Sequence, residues 1–241
     1  MRGLEREVRA EKDVQWRTHP RYGRWESVIP LPPPTLIKAS GPRSLEQFLV
    51  VGDAWHHIIS RSIRKPDSSV LDIGCGCGKI ARFLVSNPFV GKYVGFDAMR
   101  QEVQWCQNFI ASCTPDRFEF LHIDIRSKMY NPRGSVSPSR VVFPAERRSV
   151  DVAIAASLFT HLLEPDAKHY LDEIARVLTR DGVAVVSVHV DVTAGVPYVG
   201  DERRIDVDPG YFLSLASAAG LELAENLGNV CGQETFVLTV R

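Results

Sequence analysis

The chain has 241 residues, 44% hydrophobic and 24% charged, enough to bury a core without staples and too apolar for a disordered chain. Its 29 basic and 29 acidic residues cancel, which disfavours nucleic acid as a partner gripped through its phosphates. Five cysteines, with one residue between Cys75 and Cys77, suit neither a disulfide framework nor a zinc knuckle, so reduced thiols and no metal centre are expected.

Residues 1–65 read as an N-terminal cap or lid, with 12 Lys and Arg against 7 Asp and Glu. Residues 1–18 are mostly charged, without the apolar centre of a signal peptide. No stretch reaches the roughly 18 apolar residues a membrane-spanning helix needs, so a soluble, cytoplasmic protein is expected. An aromatic and basic loop, His19 to Trp25, precedes the stiff run Pro32-Pro33-Pro34. Ser44 opens a helix with a capping box to Gln47; it carries His56 and His57, has Gly52 as a candidate break, and stops before Pro66.

From residue 66 short apolar runs alternate with helical stretches. Strands are predicted at Val70–Ile73, Tyr93–Phe96, Phe118–Ile123, Val150–Ala155 and Val183–Val188. Helices are predicted at Lys79–Ser86, Gln101–Cys113 and Ala167–Leu178, the last ended by a turn at Thr179–Gly182. That alternation implies a parallel sheet covered on both faces. Residues 131–148 are polar and form a long loop where a helix would be expected. After a loop from Gly195 to Asp208 come a helix, Tyr211–Ala219, and two closely spaced strands, Leu221–Leu227 and Phe236–Val240, which argue for an antiparallel hairpin.

The chemistry is concentrated at the carboxyl ends of the first three strands, where open α/β sheets bind ligands. Asp72 precedes the loop Gly74-Cys75-Gly76-Cys77-Gly78. Its glycines let the backbone approach a ligand closely. The spacing G-x-G-x-G is neither a phosphate loop nor a dinucleotide fingerprint. An acid beside it would repel a pyrophosphate and attract an ammonium or sulfonium centre. Asp97, about 20 residues beyond the loop, is placed to accept from both hydroxyls of a ribose. Asp124 closes the third strand.

These segments, with Ser157-Leu158-Phe159-Thr160-His161-Leu162 and Tyr170 to Leu178, resemble the class I S-adenosylmethionine-dependent methyltransferases over residues 66–241. The resemblance implies a seven-stranded Rossmann-like α/β sheet, mostly parallel with an antiparallel C-terminal hairpin, under the N-terminal helical cap. The implied cofactor is S-adenosylmethionine, with S-adenosylhomocysteine as product. Asp72 and Gly74, Cys75, Gly76 and Gly78 would hold its methionine end, Asp97 its ribose, and Ala98 and Met99 would flank the adenine. Asp124 would accept from the adenine amino group beside Ile125, and Ser157 and Leu158 would lie beside the transferred methyl. Asp181-Gly182 stands where the family often has Pro-Gly.

The acceptor class follows from what is missing. Amino-group methylation of DNA bases uses an Asn/Asp/Ser-Pro-Pro-Tyr/Phe stretch that is absent after the fourth strand. A small molecule with a hydroxyl group (a sugar, a phenol or a natural product) is the expected acceptor, and the expected partners are neither nucleic acid nor membrane. RNA or protein methylation, another transfer from the same cofactor, and a binding module without turnover remain as alternatives. A hydroxyl acceptor needs a base. His161 is the first candidate, His189 a weaker one, and one of His56 and His57 could face the site from the cap. The oligomeric state is not legible in the sequence.

Overall fold

A computed structural model describes residues 29–191 and 195–241. The charged arm and the aromatic loop up to Trp25 lie outside them. The chain begins its described course with α1 (Pro34–Ala39) and α2 (Leu45–Ser62), followed by β1 (Ser68–Ile73), the single turn α3 (Ala81–Leu84), β2 (Val90–Asp97), α4 (Arg100–Phe109) and β3 (Phe118–His122). Then come β4 (Val150–Ala155), α5 (Glu164–Val177), β5 (Leu178–Val190), β6 (Tyr198–Asp201), β7 (Arg204–Val207), α6 (Pro209–Ala218), β8 (Leu221–Val230) and β9 (Gln233–Val240).

The main sheet runs β3-β2-β1-β4-β5-β9-β8; the first five strands are parallel, and β9 is antiparallel to both β5 and β8. This is the Rossmann-like arrangement that the alternating strands and helices imply. Successive residues of the central strands serve opposite faces, as the two-residue pleat requires. Val70, Val152 and Ile154 enter one core with Phe48, Trp55 and Trp105, while Leu71, Ala153 and Ala155 enter the other with Tyr170, Ile174 and Phe212. Both faces are buried, so β4 reads as a nearly unbroken apolar run.

The described residues before β1 share the first of these cores. Ile29, Ile37, Phe48 and Ile59 are buried with the sheet residues, and the buried guanidinium of Arg82 donates to the carbonyl of Ile29 at 2.9 Å. Ser44 caps α2 by accepting from Gln47 N, while Gln47 Oε1 accepts from Arg43 N. The helix runs unbroken through Gly52, against expectation. Gly52 is there for clearance: a Cβ would stand 2.5 Å from the carbonyl oxygen of Lys79.

Three further expectations are corrected. The helix predicted at Lys79–Ser86 shrinks to one turn, because hydrogen-bonded turns through Gly78 and Ile80 occupy its start and one from Asn87 N to Leu84 O closes it. The turn predicted at Thr179–Gly182 is strand, since β5 begins directly after α5. The Gly195–Asp208 loop contains the antiparallel hairpin β6–β7, and β7 pairs with the last two residues of β5 beyond the reach of β9. The long loop 131–148 is confirmed and firmly seated. Val141 and Phe143 are buried from it, and Arg176 and Glu173 of α5 hydrogen-bond its backbone at Phe143 and Ala145.

Candidate active site

The loop after β1 is tied to β2. Gly74 N and Cys75 N both donate to the carbonyl of Phe96, at 2.9 and 3.1 Å. Gly76 has φ +51° and donates its N–H to Asp97 Oδ2 at 2.8 Å. Asp97 Oδ1 accepts from Met99 N at 2.9 Å, so one carboxylate joins the loop to the turn after β2. Burial pushes the Asp97 pKa up, and the bonds from Met99 and Gly76 pull it back. A carboxylate so placed gains from further donors.

Around this loop lies a cleft of about 1000 Å³, including its open mouth. Gly74, Cys75, Gly76 and Cys77 form one wall, and Asp97, Ala98, Met99 and Ile125 a second. Ser157 and Leu158 form the floor, and Tyr130, His161, Asp166, Tyr170 and Glu202 the far end. Ser40, at the end of α1, closes over the loop; its Oγ lies 3.2 Å from Cys77 Sγ, and a Cβ on Gly76 would stand 3.1 Å from Ser40 Cβ. Lys79 also lines the cleft, and burial pushes its pKa down.

The structure thus brings together most of the residues singled out from sequence, but Asp72, Gly78, Asp124, His56, His57 and His189 do not line this cleft; Gly78 instead gives clearance to α4, where a Cβ would stand 3.1 Å from Cys106 Sγ. Asp72 is buried, its carboxylate accepts from the Tyr93 hydroxyl, and it does not line the cleft. Burial raises its pKa to about 7, against the opposing Tyr93 bond. The ordinary carboxylate value is 3.8, so the cost of ionising it in place develops between that value and about 7 as pH rises. Asp72→Asn, which keeps an acceptor for Tyr93, is expected to raise the thermal midpoint by several degrees at pH 8 and to leave it unchanged near pH 3. Calorimetric scans at the two pH values check this.

Asp124 lies on an adjoining cleft that shares Ala98, Met99 and Tyr130 with the first. Its carboxylate accepts from Asn131 Nδ2, Ser135 N and Ser135 Oγ at 2.8–3.0 Å, which pulls its pKa to about 2. His189 stands in β5 opposite Asp206 of β7 and does not reach the cleft wall. His56 and His57 do not line it either; His57 Nε2 sits 3.5 Å from Asp53 Oδ1 on the same helix.

His161 does line the cleft, in a 3-10 turn, Phe159–His161, just beyond β4. Its Nδ1 lies 2.9 Å from the carbonyl oxygen of Glu202 and its Nε2 3.1 Å from the Tyr130 hydroxyl. A carbonyl only accepts, so Nδ1 carries the proton and Nε2 offers a lone pair. Burial pushes its pKa below the usual 6.5, and burial raises Tyr130 to about 12. Both are neutral at pH 7.

Sequence reasoning missed Tyr130 and Glu202. Glu202 sits at the tip of the β6–β7 hairpin, and its Oε2 accepts from Ser127 Oγ at 2.9 Å and Lys128 N at 2.6 Å. With its carbonyl on His161, it straps the hairpin across the far end of the cleft. The Tyr198 hydroxyl adds an anchor at the Leu162 carbonyl, 2.6 Å away.

Comparisons with known proteins agree with this geometry. Residues 70–182 match the family model of a methyltransferase domain. Among solved structures, the chain is similar to a TehB-like S-adenosylmethionine-dependent methyltransferase from Corynebacterium glutamicum, with 19% identity, TM-score 0.54 and coverage of 98% of this chain and 100% of that one. It is also similar to an S-adenosylmethionine-dependent methyltransferase from Aquifex aeolicus, with 16% identity, TM-score 0.61 and coverage of 88% and 100%. The [4+2]-cyclase SpnF has the same fold at 19% identity and TM-score 0.55; 74% of this chain aligns to 60% of that one. Likeness at such identities shows the fold alone. The domain match over residues 70–182 and these neighbours support an S-adenosylmethionine-dependent methyltransferase, with that cofactor as its methyl source.

Proposed function

We propose that the chain methylates a hydroxyl group of a small molecule bound at the far end of the cleft, with His161 as the base. The observation that carries this reading is the neutral His161 Nε2, facing the cleft beside Tyr130 and roofed by the strapped hairpin.

The residues present suit S-adenosylmethionine. Gly74 and Gly76 line the cleft without side chains, so a ligand can lie against backbone there. Asp97 offers a buried carboxylate with lone pairs for two hydroxyls. Ala98, Met99 and Ile125 give an apolar slot for a base, and Asp124 stands beside it on the adjoining cleft. Asp72 would act on an ammonium group only through an intervening group, because it lies behind the wall. When bound, the cofactor supplies a methyl carbon on a positively charged sulfur.

The chain's own residues do the rest. The floor at Ser157 and Leu158 and the far wall align the acceptor oxygen with the methyl carbon, and such alignment is worth several kcal/mol. His161 Nε2 would take the hydroxyl proton as the acceptor oxygen bonds the methyl carbon and the carbon–sulfur bond breaks, its electron pair staying on the sulfur. Its Nδ1–H stays on Glu202 and steadies the imidazolium. Tyr130 turns its hydroxyl from Nε2 to the acceptor.

An acceptor panel tests the proposal: phenols, sugars and polyketide-like alcohols against total RNA and protein substrates, with S-adenosylhomocysteine release as the readout. Release with a hydroxyl compound, and none with RNA or protein, is the expected result. Release driven by RNA or protein alone would sink it.

A further inference from the structure

Behind the cleft floor lies a ring of hydrogen bonds that joins three distant parts of the chain. Ser157 N donates to Ser187 Oγ at 2.8 Å, Ser187 Oγ donates to Gln233 Oε1 at 2.6 Å, and Gln233 Nε2 donates to Ser157 Oγ at 2.9 Å. Ser187 is fully buried at 0% exposure, so its hydroxyl proton needs an acceptor, and Gln233 Oε1 provides it. Turning the amide round would point a donor at that proton, which settles its orientation.

The ring closes on a strained residue. Ser157 has φ +59°, the left-handed region that costs a residue with a side chain and costs glycine nothing. Strain of this kind persists where the surroundings over-determine it. Here the backbone N–H and the side chain of Ser157 are both held, from β5 and from β9.

That left-handed turn decides where the floor lies. It ends β4 and lays Leu158 against Gly74, where Leu158 Cδ1 is 3.2 Å from the place a Cβ would take. Thr160 Oγ1 then donates to the Ser157 carbonyl at 3.1 Å, and His161 N to the Leu158 carbonyl at 3.0 Å. The floor and the turn that carries His161 hang from the backbone of Ser157.

We propose that Ser187 and Gln233 are positioning residues, which hold Ser157 left-handed and thereby set how Leu158 packs on Gly74 at the wall of the cleft in which the cofactor rests. The inference relies on the cofactor placement given above, so its test separates the two. The probe is S-adenosylhomocysteine, titrated calorimetrically into the full chain. Gln233→Leu is expected to weaken binding about ten-fold. Adding Ser157→Gly to Gln233→Leu is expected to recover at least five-fold of it, since glycine needs no ring to be left-handed. A purely structural loss would not be recovered by a glycine. Should Gln233→Leu fail to fold, Ser187→Ala breaks the same ring without adding bulk, and the same recovery is expected on it. Unchanged affinity in the single variants, or a double variant as weak as its parent, would overturn the inference. A wild-type chain that does not bind the probe would overturn both it and the cofactor placement.

Discussion

His161→Ala is expected to lower kcat by about 10²–10⁴-fold, the usual contribution of a positioned base, while the affinity for S-adenosylhomocysteine stays within two-fold. The two readouts separate because the His161 ring bonds Glu202 and Tyr130, not the glycine loop or Asp97. The pH profile adds a signature. Only the neutral imidazole can take a proton, and burial holds its pKa below 6.5. The rate should therefore climb with a midpoint under that value and level off above it. In His161→Ala the limb should vanish. Steady-state assays on the best acceptor of the panel, from pH 4.5 to 8.5, check both points. A variant that keeps the wild-type rate and limb would remove His161 from the chemistry and return attention to Tyr130.

Asp97→Ala is expected to weaken S-adenosylhomocysteine binding by about 2–3 kcal/mol, roughly 30–150-fold, the worth of hydrogen bonds to a buried charged acceptor. Two effects add. The ligand hydroxyls lose their acceptor, and Gly76 N loses the partner that holds the loop 2.8 Å from it. Asp97→Asn keeps an oxygen for one of the two and should fall between. Asp124→Ala should cost much less, because that carboxylate is already occupied by Asn131 and Ser135 from its own loop. Titration of the three variants side by side gives the order Asp97→Ala, Asp97→Asn, Asp124→Ala from weakest to strongest. Equal affinities for Asp97→Ala and wild type would displace the ribose from this carboxylate.

The strands and the loop between Asp72 and Gly78 were legible because their signals are local. Apolar runs, a glycine cluster and an acid at a strand end sit within a few residues of one another, and packing on both faces of the sheet leaves them little freedom. The sites of failure are equally specific. Tyr130 acquires its role only when a long polar loop folds back onto His161, and nothing in its own neighbourhood marks it. Glu202 lies in Asp201-Glu202-Arg203, which lacks the Asn-Gly or Asp-Gly signal of a tight hairpin, so the strap read as loop. Asp72 sits at the expected strand end, yet Tyr93, 21 residues on, draws its carboxylate away from the cleft. Gly52 looked like a helix break and is a point of contact with Lys79. Each of these depends on a partner distant in sequence.

The most direct test of the account is a calorimetric titration of the wild-type chain with S-adenosylhomocysteine. Saturable binding at one site per chain, with a dissociation constant in the micromolar range, is the predicted result. A flat titration at millimolar ligand would contradict the assignment of the cleft beside Asp97 as the cofactor site, and the roles given to Ser157, Gln233 and His161 would fall with it.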